Sequence, residues 1–312
     1  MADDSNVAVG RRVRRRRGSR LLTRRDKFVL AILIGVPFAV HIGLVWIPAI
    51  SSIFLSFMRW RGIGGLENMT FVGLENYRTL FSVYPTFWPA LSHNLIWLAV
   101  FVFFATPIGI LMAVLLDKGI RGGRFYQSAL YLPFVLSLAV IGFIWQLQYA
   151  PEEGFINNVL GRTDPSNLIG WLGDRRLNLW AVLVAASWRH IGYIMVIYLA
   201  ALKSVHPSLK EAAQTNGATE VQIFFRITFP ILQPMNVVVL VITLIESLRA
   251  FDIVWVVNKG SNGLELLSVL ITQNIVGPSS RIGFGSSIAV VLLLISVGPI
   301  IVYLSRVYRD QS

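Results

Sequence analysis

A chain of 312 residues with 55% hydrophobic side chains, only 14% charged residues and a mean hydropathy of +0.64 is not a soluble globular domain, which carries about a quarter charged residues. The formal charge of +12 suggests nucleic acid at first sight, but ten of the 28 Lys and Arg fall in residues 11–27, where a basic block before an apolar run reads as a membrane-surface and topology signal. With no cysteine in the chain, a disulfide framework and a thiolate metal site are both excluded.

In chain order, the basic segment 1–27 comes first. It is too long for the head of a secretory signal peptide, and the apolar run after it is too long for a signal core. A spanning helix needs about 20 apolar residues. Six runs qualify: Phe28–Phe57, Ala90–Leu116, Phe125–Leu147, Leu179–Leu202, Met235–Val257 and Gly285–Tyr303. The first exceeds one perpendicular crossing, so tilt or a bend at Pro37 or Pro48 is expected; Pro107 and Pro133 predict kinks in the second and third. The stretch LELLSVLITQNIV, residues 264–276, is too short to span and reads as interfacial or re-entrant. With the N-terminus inside, inner segments hold 18 Lys and Arg against eight in outer ones; without the tail the count is eight against eight. The tail therefore carries the assignment of both termini to the cytoplasm. The expected fold is an all-α membrane domain over 28–312, behind a basic tail.

Enzyme signatures are missing. There is no G-x-x-x-x-G-K-[ST] phosphate loop, no H-E-x-x-H and no G-x-S-x-G, and His41, His93, His190 and His206 lack ligand spacing. A potassium-filter sequence is absent too.

Between the fourth and fifth runs, residues 203–234 break the apolar pattern with EAAQTNGATEVQIFFRITFP. Ser208 and Glu211 predict a capping box that starts a helix near Leu209. Gly217 supplies a stop, Thr219 and Gln222 a second box, and Pro230 an end. Ala212 and Ala213 give a smooth face; Ile223, Phe224, Phe225 and Ile227 supply apolar anchors. An exposed amphipathic helix pair of this kind suits docking into a groove on a partner; lying on lipid headgroups is the alternative.

The pattern E-A-A-x-x-x-G, nine residues, then I-x-L-P resembles the signature loop of permease subunits of binding-protein-dependent ABC importers. Glu211, Ala212, Ala213, Gly217, Ile227 and Pro230 stand at the matching positions, with Phe229 in place of the usual Leu. GLENYRTLF, ALYLPFVLS followed by IW, GFINNVLG and FDIVWVVNKG extend the likeness to the sugar-importer branch over roughly 70–305, with a family core at about 90–305. Gln127 and Asn216 depart from the common Arg and Asp. The resemblance implies a type I importer permease of six transmembrane helices in a bacterial cell membrane. It implies a coupling loop at 203–234 that seats in an ATPase subunit through Glu211, Ala212, Ala213, Gly217, Phe224, Ile227 and Pro230. The implied partners are a second, different permease, two ATPases holding ATP and Mg, an extracytoplasmic solute-binding protein, membrane lipid and a sugar substrate. No cofactor is expected in the chain itself.

Charges inside the fifth run need a cavity or a partner. Glu246 and Arg249 are spaced to pair, and 246, 249, 250 and 253 share one face of a continuous helix. By likeness, Arg249, Ala250 and Ile253 face substrate, with Glu246 beside them. Arg189, in ASWRHIGYIMV, either lines the path or pairs with an acid on another helix; His190 reads as packing. Trp145, Trp188, Tyr193 and Trp255 are the aromatic candidates for stacking on a sugar, or else members of an interface belt. GFGSSIA, which opens the last run, allows close helix approach or leaves room for a solute. The resulting expectation is a permease for a di- or oligosaccharide working by alternating access. The alternatives are a glycerol-phosphodiester permease, an ion-coupled secondary transporter with Glu246 as proton site, an intramembrane enzyme using Glu246 and Asp252, and a scaffold.

Overall fold

The computed structural model describes residues 23–277 and 280–309. Most of the predicted basic tail, 1–22, lies outside the described residues, as do 310–312. The chain forms two compact units, Met1–Ser51 and Ser52–Ser312.

In the first unit, Thr23 caps α1 (Arg24–His41) in a reciprocal box with Asp26. Five residues, Ile42–Trp46, then form a π-turn before α2 (Ile47–Leu55). Together these make one apolar helical run, Arg25–Leu55, whose side chains are exposed all round. That pattern suits lipid and no aqueous surface. Pro37 sits inside α1 without ending it.

The π-turn has a cause that recurs. Ile47 donates to the Ile42 carbonyl, five residues back, and Pro48 follows. Thr106 donates to Phe101 before Pro107, and Phe229 to Phe224 before Pro230. A proline has no N–H and its ring strikes the carbonyl four residues back. Widening the preceding turn moves that carbonyl aside while the helix continues. The bends predicted at Pro48 and Pro107 are therefore widened turns.

The second unit opens with a short antiparallel pair, β1 (Met58–Arg59) and β2 (Thr70–Phe71), and a surface helix, α3 (Glu75–Ser82). The second predicted span is α4 (Phe87–Val100), a π-turn and α5 (Thr106–Asp117), one run Phe87–Asp117. The third is not one helix. α6 (Gly123–Val135) ends two residues after Pro133, Ser137 caps α7 (Leu138–Gln148), and the two cross at 103°. α8 (Phe155–Val159) lies in the following loop. α9 (Asn178–Leu202) is the fourth span and the centre of the unit, with more than half of its residues buried.

The fifth predicted span also breaks. α10 (Pro207–Thr215), α11 (Glu220–Ile223) and α12 (Phe229–Ile231) form the polar loop. Beyond it, α13 (Gln233–Leu248) stops, and α14 (Asp252–Asn258) restarts after three residues. Carbonyls freed near the break take donors from distant helices: Asn94 Nδ2 reaches Leu248 at 3.4 Å and Ser268 Oγ reaches Ala250 at 2.5 Å. At the far end of α14, Gln146 Nε2 donates to the carbonyls of Val256 and Val257. Such partners make a broken helix tolerable in an apolar surrounding. α15 (Leu267–Ile275) buries Leu267, Val269 and Leu270 in the interior, so of the two readings of this short segment, interfacial or re-entrant, the buried helix fits the second. α16 (Ile282–Arg309) ends the fold. Among the described residues, four runs are long and apolar enough to cross a membrane, or five if the bent pair counts as one.

Close approach is set by glycine. A Cβ on Gly192 would lie 2.0 Å from the Leu130 carbonyl oxygen, and one on Gly283 1.9 Å from that of Met58. With Gly285 against Ile275 and Ser286 and Ser287 buried, GFGSSIA serves tight packing in this conformation. Between helices in lipid, van der Waals fit of this kind replaces the hydrophobic drive.

Candidate functional site

Two groups of predicted residues fall in two places. The first is the loop between α9 and α13. α10 begins at Pro207, with His206 as its cap residue and no side-chain cap. Pro207 supplies the φ of a first helical turn, so the helix starts two residues before the predicted point. Ser208 is then inside the helix and meets His206 Nδ1 at 2.7 Å, and the predicted Ser208–Glu211 box does not form. Gly217 does stop α10, at φ +79° with open space around it, so its backbone alone demands glycine. Asn216 Nδ2 donates to Ala212 at 2.8 Å in the same turn. The Thr219–Gln222 box is fully made, at 3.3 and 2.9 Å.

Glu211, Ala212 and Pro230 are exposed, and Glu211 has no ion-pair partner among the described residues. The predicted anchors divide. Ile223 is buried and Phe224 packs against the core cluster that holds Tyr198 and Leu232, whereas Phe225 stays about two-thirds exposed, as does Val221, which was not among them. Ile227 is half-buried.

The loop is fastened by residues that the sequence reading missed. Asp117, at the end of α5, accepts from Lys203 and Lys210, both at 2.9 Å. Lys118 lies 3.3 Å from Glu220, whose other oxygen accepts from Gln214 at 3.0 Å. The Gln214 hydrogen bond, then Lys118, holds the Glu220 carboxyl below its ordinary range. The signal was present: acids and lysines sit at the ends of two apolar runs with no other partner in view.

The second group surrounds a cavity of about 70 Å³ in the upper core. Arg189, Glu246, Arg249, Ala250 and Ile253, all named from the sequence, line it; Trp255 does not, and stacks instead on Phe251 at 5.3 Å. Glu246 pairs with Arg189, Oε2 to Nη1 at 3.2 Å, rather than with Arg249. The helix ends at Leu248, so the expected face through 246, 249 and 253 does not exist. The Arg189 guanidinium also lies over Phe134, 5.0 Å from the ring centre, and Phe134 stacks on Tyr193 at 4.2 Å. His190 is buried, 3.1 and 3.3 Å from the hydroxyls of Thr106 and Thr243, and stacked on Phe101. It is a packed, hydrogen-bonded residue, in line with the packing role read from the sequence. Trp97, fully buried in the wall, was not foreseen, although a tryptophan deep inside an apolar run is far from the usual interface belt. Among the described residues no three His, Asp or Glu converge as a metal site.

A multi-helix chain with a capped, exposed loop and a charged internal cavity has the form of a membrane transport subunit. The family described as binding-protein-dependent transport system inner membrane component matches residues 105–309. A probable ABC transporter permease from Pyrococcus horikoshii is 30% identical over 287 residues, 91% of this chain and 96% of that one. The arabinooligosaccharides transport system permease AraP of Halalkalibacterium halodurans is 32% identical over 298 residues, 91% and 89% of the two chains. A chain of a bacterial ABC transporter involved in import of the acidic polysaccharide alginate superposes with TM-score 0.76 at 21% identity, covering 92% and 97%. The protein therefore belongs to the inner membrane components of binding-protein-dependent transport systems. It has the type I ABC importer permease fold and is a multi-pass transport subunit, with the ATPase a separate subunit.

Proposed function

We propose that the chain is one half of a heterodimeric permease that moves a neutral di- or oligosaccharide through the cell membrane by alternating access. Six crossings, with α6–α7 and α13–α14 each counted as one, put both termini and residues 203–234 in the cytoplasm. The permease domain is 28–312, behind the basic cytoplasmic segment 1–27. An extracytoplasmic binding protein delivers the sugar; ATP and Mg are held by two ATPase subunits. Relatives named for arabinooligosaccharides support the substrate class.

The observation that carries the reading is the loop itself: two short helices about Gly217, exposed at Glu211 and Phe225, and fastened to α5 through Asp117. A connector needs neither caps nor ion pairs; a part that receives force from an ATPase needs both. Glu211, Ala212, Ala213, Gly217, Ile227 and Pro230 form the contact, and Phe224 holds the loop to its own core. At the cavity, Glu246, the candidate proton site of an ion-coupled carrier, is engaged in an ion pair with Arg189. Glu211→Lys tests the coupling. The assembled complex is expected to insert normally and to lose sugar uptake; ATP-driven uptake at the original rate would overturn the assignment.

A further inference from the structure

A separate pocket of about 510 Å³ lies where three apolar helices meet by their ends. Leu116 and Leu199 line it from the last turns of Phe87–Asp117 and Asn178–Leu202, two runs long and apolar enough to cross a membrane. Gly123, Arg124 and Gln127 line it from the first turns of α6. A place where two spans finish and a third helix begins lies at the level of lipid headgroups, whichever leaflet that is. Phe125 and Tyr126 follow at once in α6, half or more exposed and edge to face at 5.9 Å, as aromatic residues are at a membrane surface.

The charges on this pocket are of one sign. Arg124 and Lys203 line it and no acid does. Both side chains are accessible: Lys203 is 64% exposed and Arg124 is exposed. Arg124 has no acidic partner among the described residues. Lys203 meets Asp117 at 2.9 Å, but Asp117 also holds Lys210 at 2.9 Å, so it keeps a counter-charge when Lys203 turns to another anion. α6 adds the positive end of a helix dipole, since it starts at Gly123 with no side-chain cap. Apolar side chains and unopposed cations side by side match an amphiphile better than a free ion. Basic pockets between spanning helices are where anionic lipid headgroups bind.

We infer that this pocket binds the phosphodiester headgroup of an anionic phospholipid, whose phosphate draws on Arg124 and Lys203 while its acyl chains leave over apolar side chains into the bilayer. Neither sugar nor ATP enters this binding, so it is measured apart from transport.

The test is native mass spectrometry of the assembled complex, permease pair with ATPases, titrated with phosphatidylglycerol, with phosphatidylcholine or with inorganic phosphate. The complex is expected to hold phosphatidylglycerol about tenfold or more tightly than phosphatidylcholine. Arg124→Gln is expected to lower the affinity for phosphatidylglycerol about fivefold, the effect of one cation near the membrane surface, and Arg124→Lys to keep most of it. Arg162→Gln, an equal loss of charge at an exposed position in the loop after α8, is expected to change nothing. Equal affinities for the two lipids would overturn the inference, as would equal losses in Arg124→Gln and Arg162→Gln. Displacement of the lipid by millimolar inorganic phosphate would make this a site for a soluble anion and overturn it too. So would lipid held by the permease pair alone and lost on adding the ATPases, which would assign the pocket to a protein partner. Each of these outcomes leaves sugar transport standing.

Discussion

Asp117 is one carboxylate with two lysines on it, and both lysines belong to residues 203–234, the proposed coupling loop. Asp117→Asn keeps the shape and removes the charge. Charge-assisted hydrogen bonds of this kind contribute about 1.5–3 kcal/mol when sheltered, and less here because the Lys203 side chain is 64% exposed. The variant is expected to insert and bind its ATPase yet to hydrolyse more ATP per sugar carried; an unchanged ratio in proteoliposomes would remove Asp117 from the coupling machinery. Gly217 is a cleaner case, since its φ of +79° is the only demand on the position. Left-handed backbone costs an L-residue about 1–2 kcal/mol, with Asn the mildest substitute. The order of thermal stability is expected to be Gly, Asn, Ala, Val. At the cavity, Glu246→Ala leaves Arg189 unpaired at 17% exposure, so the single change is expected to destabilise more than Glu246→Ala combined with Arg189→Leu. Melting of the three purified complexes checks this.

At the level of helices, hydropathy located the four runs that are long and apolar enough to span among the described residues, but not where a run stops. The break after Val135 falls two residues past Pro133, where a kink was expected but not a turn of 103°, and the break after Leu248 falls at Arg249–Asp252, charges read as lining a cavity rather than as ending a helix. What stabilises the second one is remote: Asn94 and Ser268, each on another helix, supply donors to the freed carbonyls. Local chemistry was more readable. The Thr219–Gln222 box and the Gly217 turn follow from short-range rules, and the Ser208 box failed because a neighbouring proline started the helix earlier. The cavity was half legible for the same reason. Charged residues in apolar runs announce themselves, whereas their pairing depends on which helices touch. Helix contact makes its own prediction. Gly192→Ala would force α6 and α9 apart, since the added carbon meets backbone oxygen at 2.0 Å, and about 1–3 kcal/mol of overpacking is expected. Gly170→Ala, with nothing within 4 Å, serves as the tolerated control. Equal thermal midpoints for the two variants would contradict the tight crossing.

For the whole molecule, the absence of cysteine makes sidedness directly measurable. Thr163 and Thr215 are both exposed, the first in the loop after α8 and the second at the end of α10. In intact cells an impermeant thiol reagent is expected to label Thr163→Cys at once and Thr215→Cys only after the membrane is opened. The reverse pattern would invert the proposed topology and place the coupling loop beyond reach of any ATPase.

The lysines on Asp117 also have a mechanical meaning. Lys203 is the residue after α9, Lys210 lies in the middle of α10, and their common anchor terminates α5. In the proposed mechanism, a push delivered to the loop would reach the ends of both rods together, through their common anchor. Those rods carry Thr106 and His190, whose side chains meet, so under that proposal displacement at the loop would arrive in the interior as a shared stroke rather than as the sliding of one rod past the other.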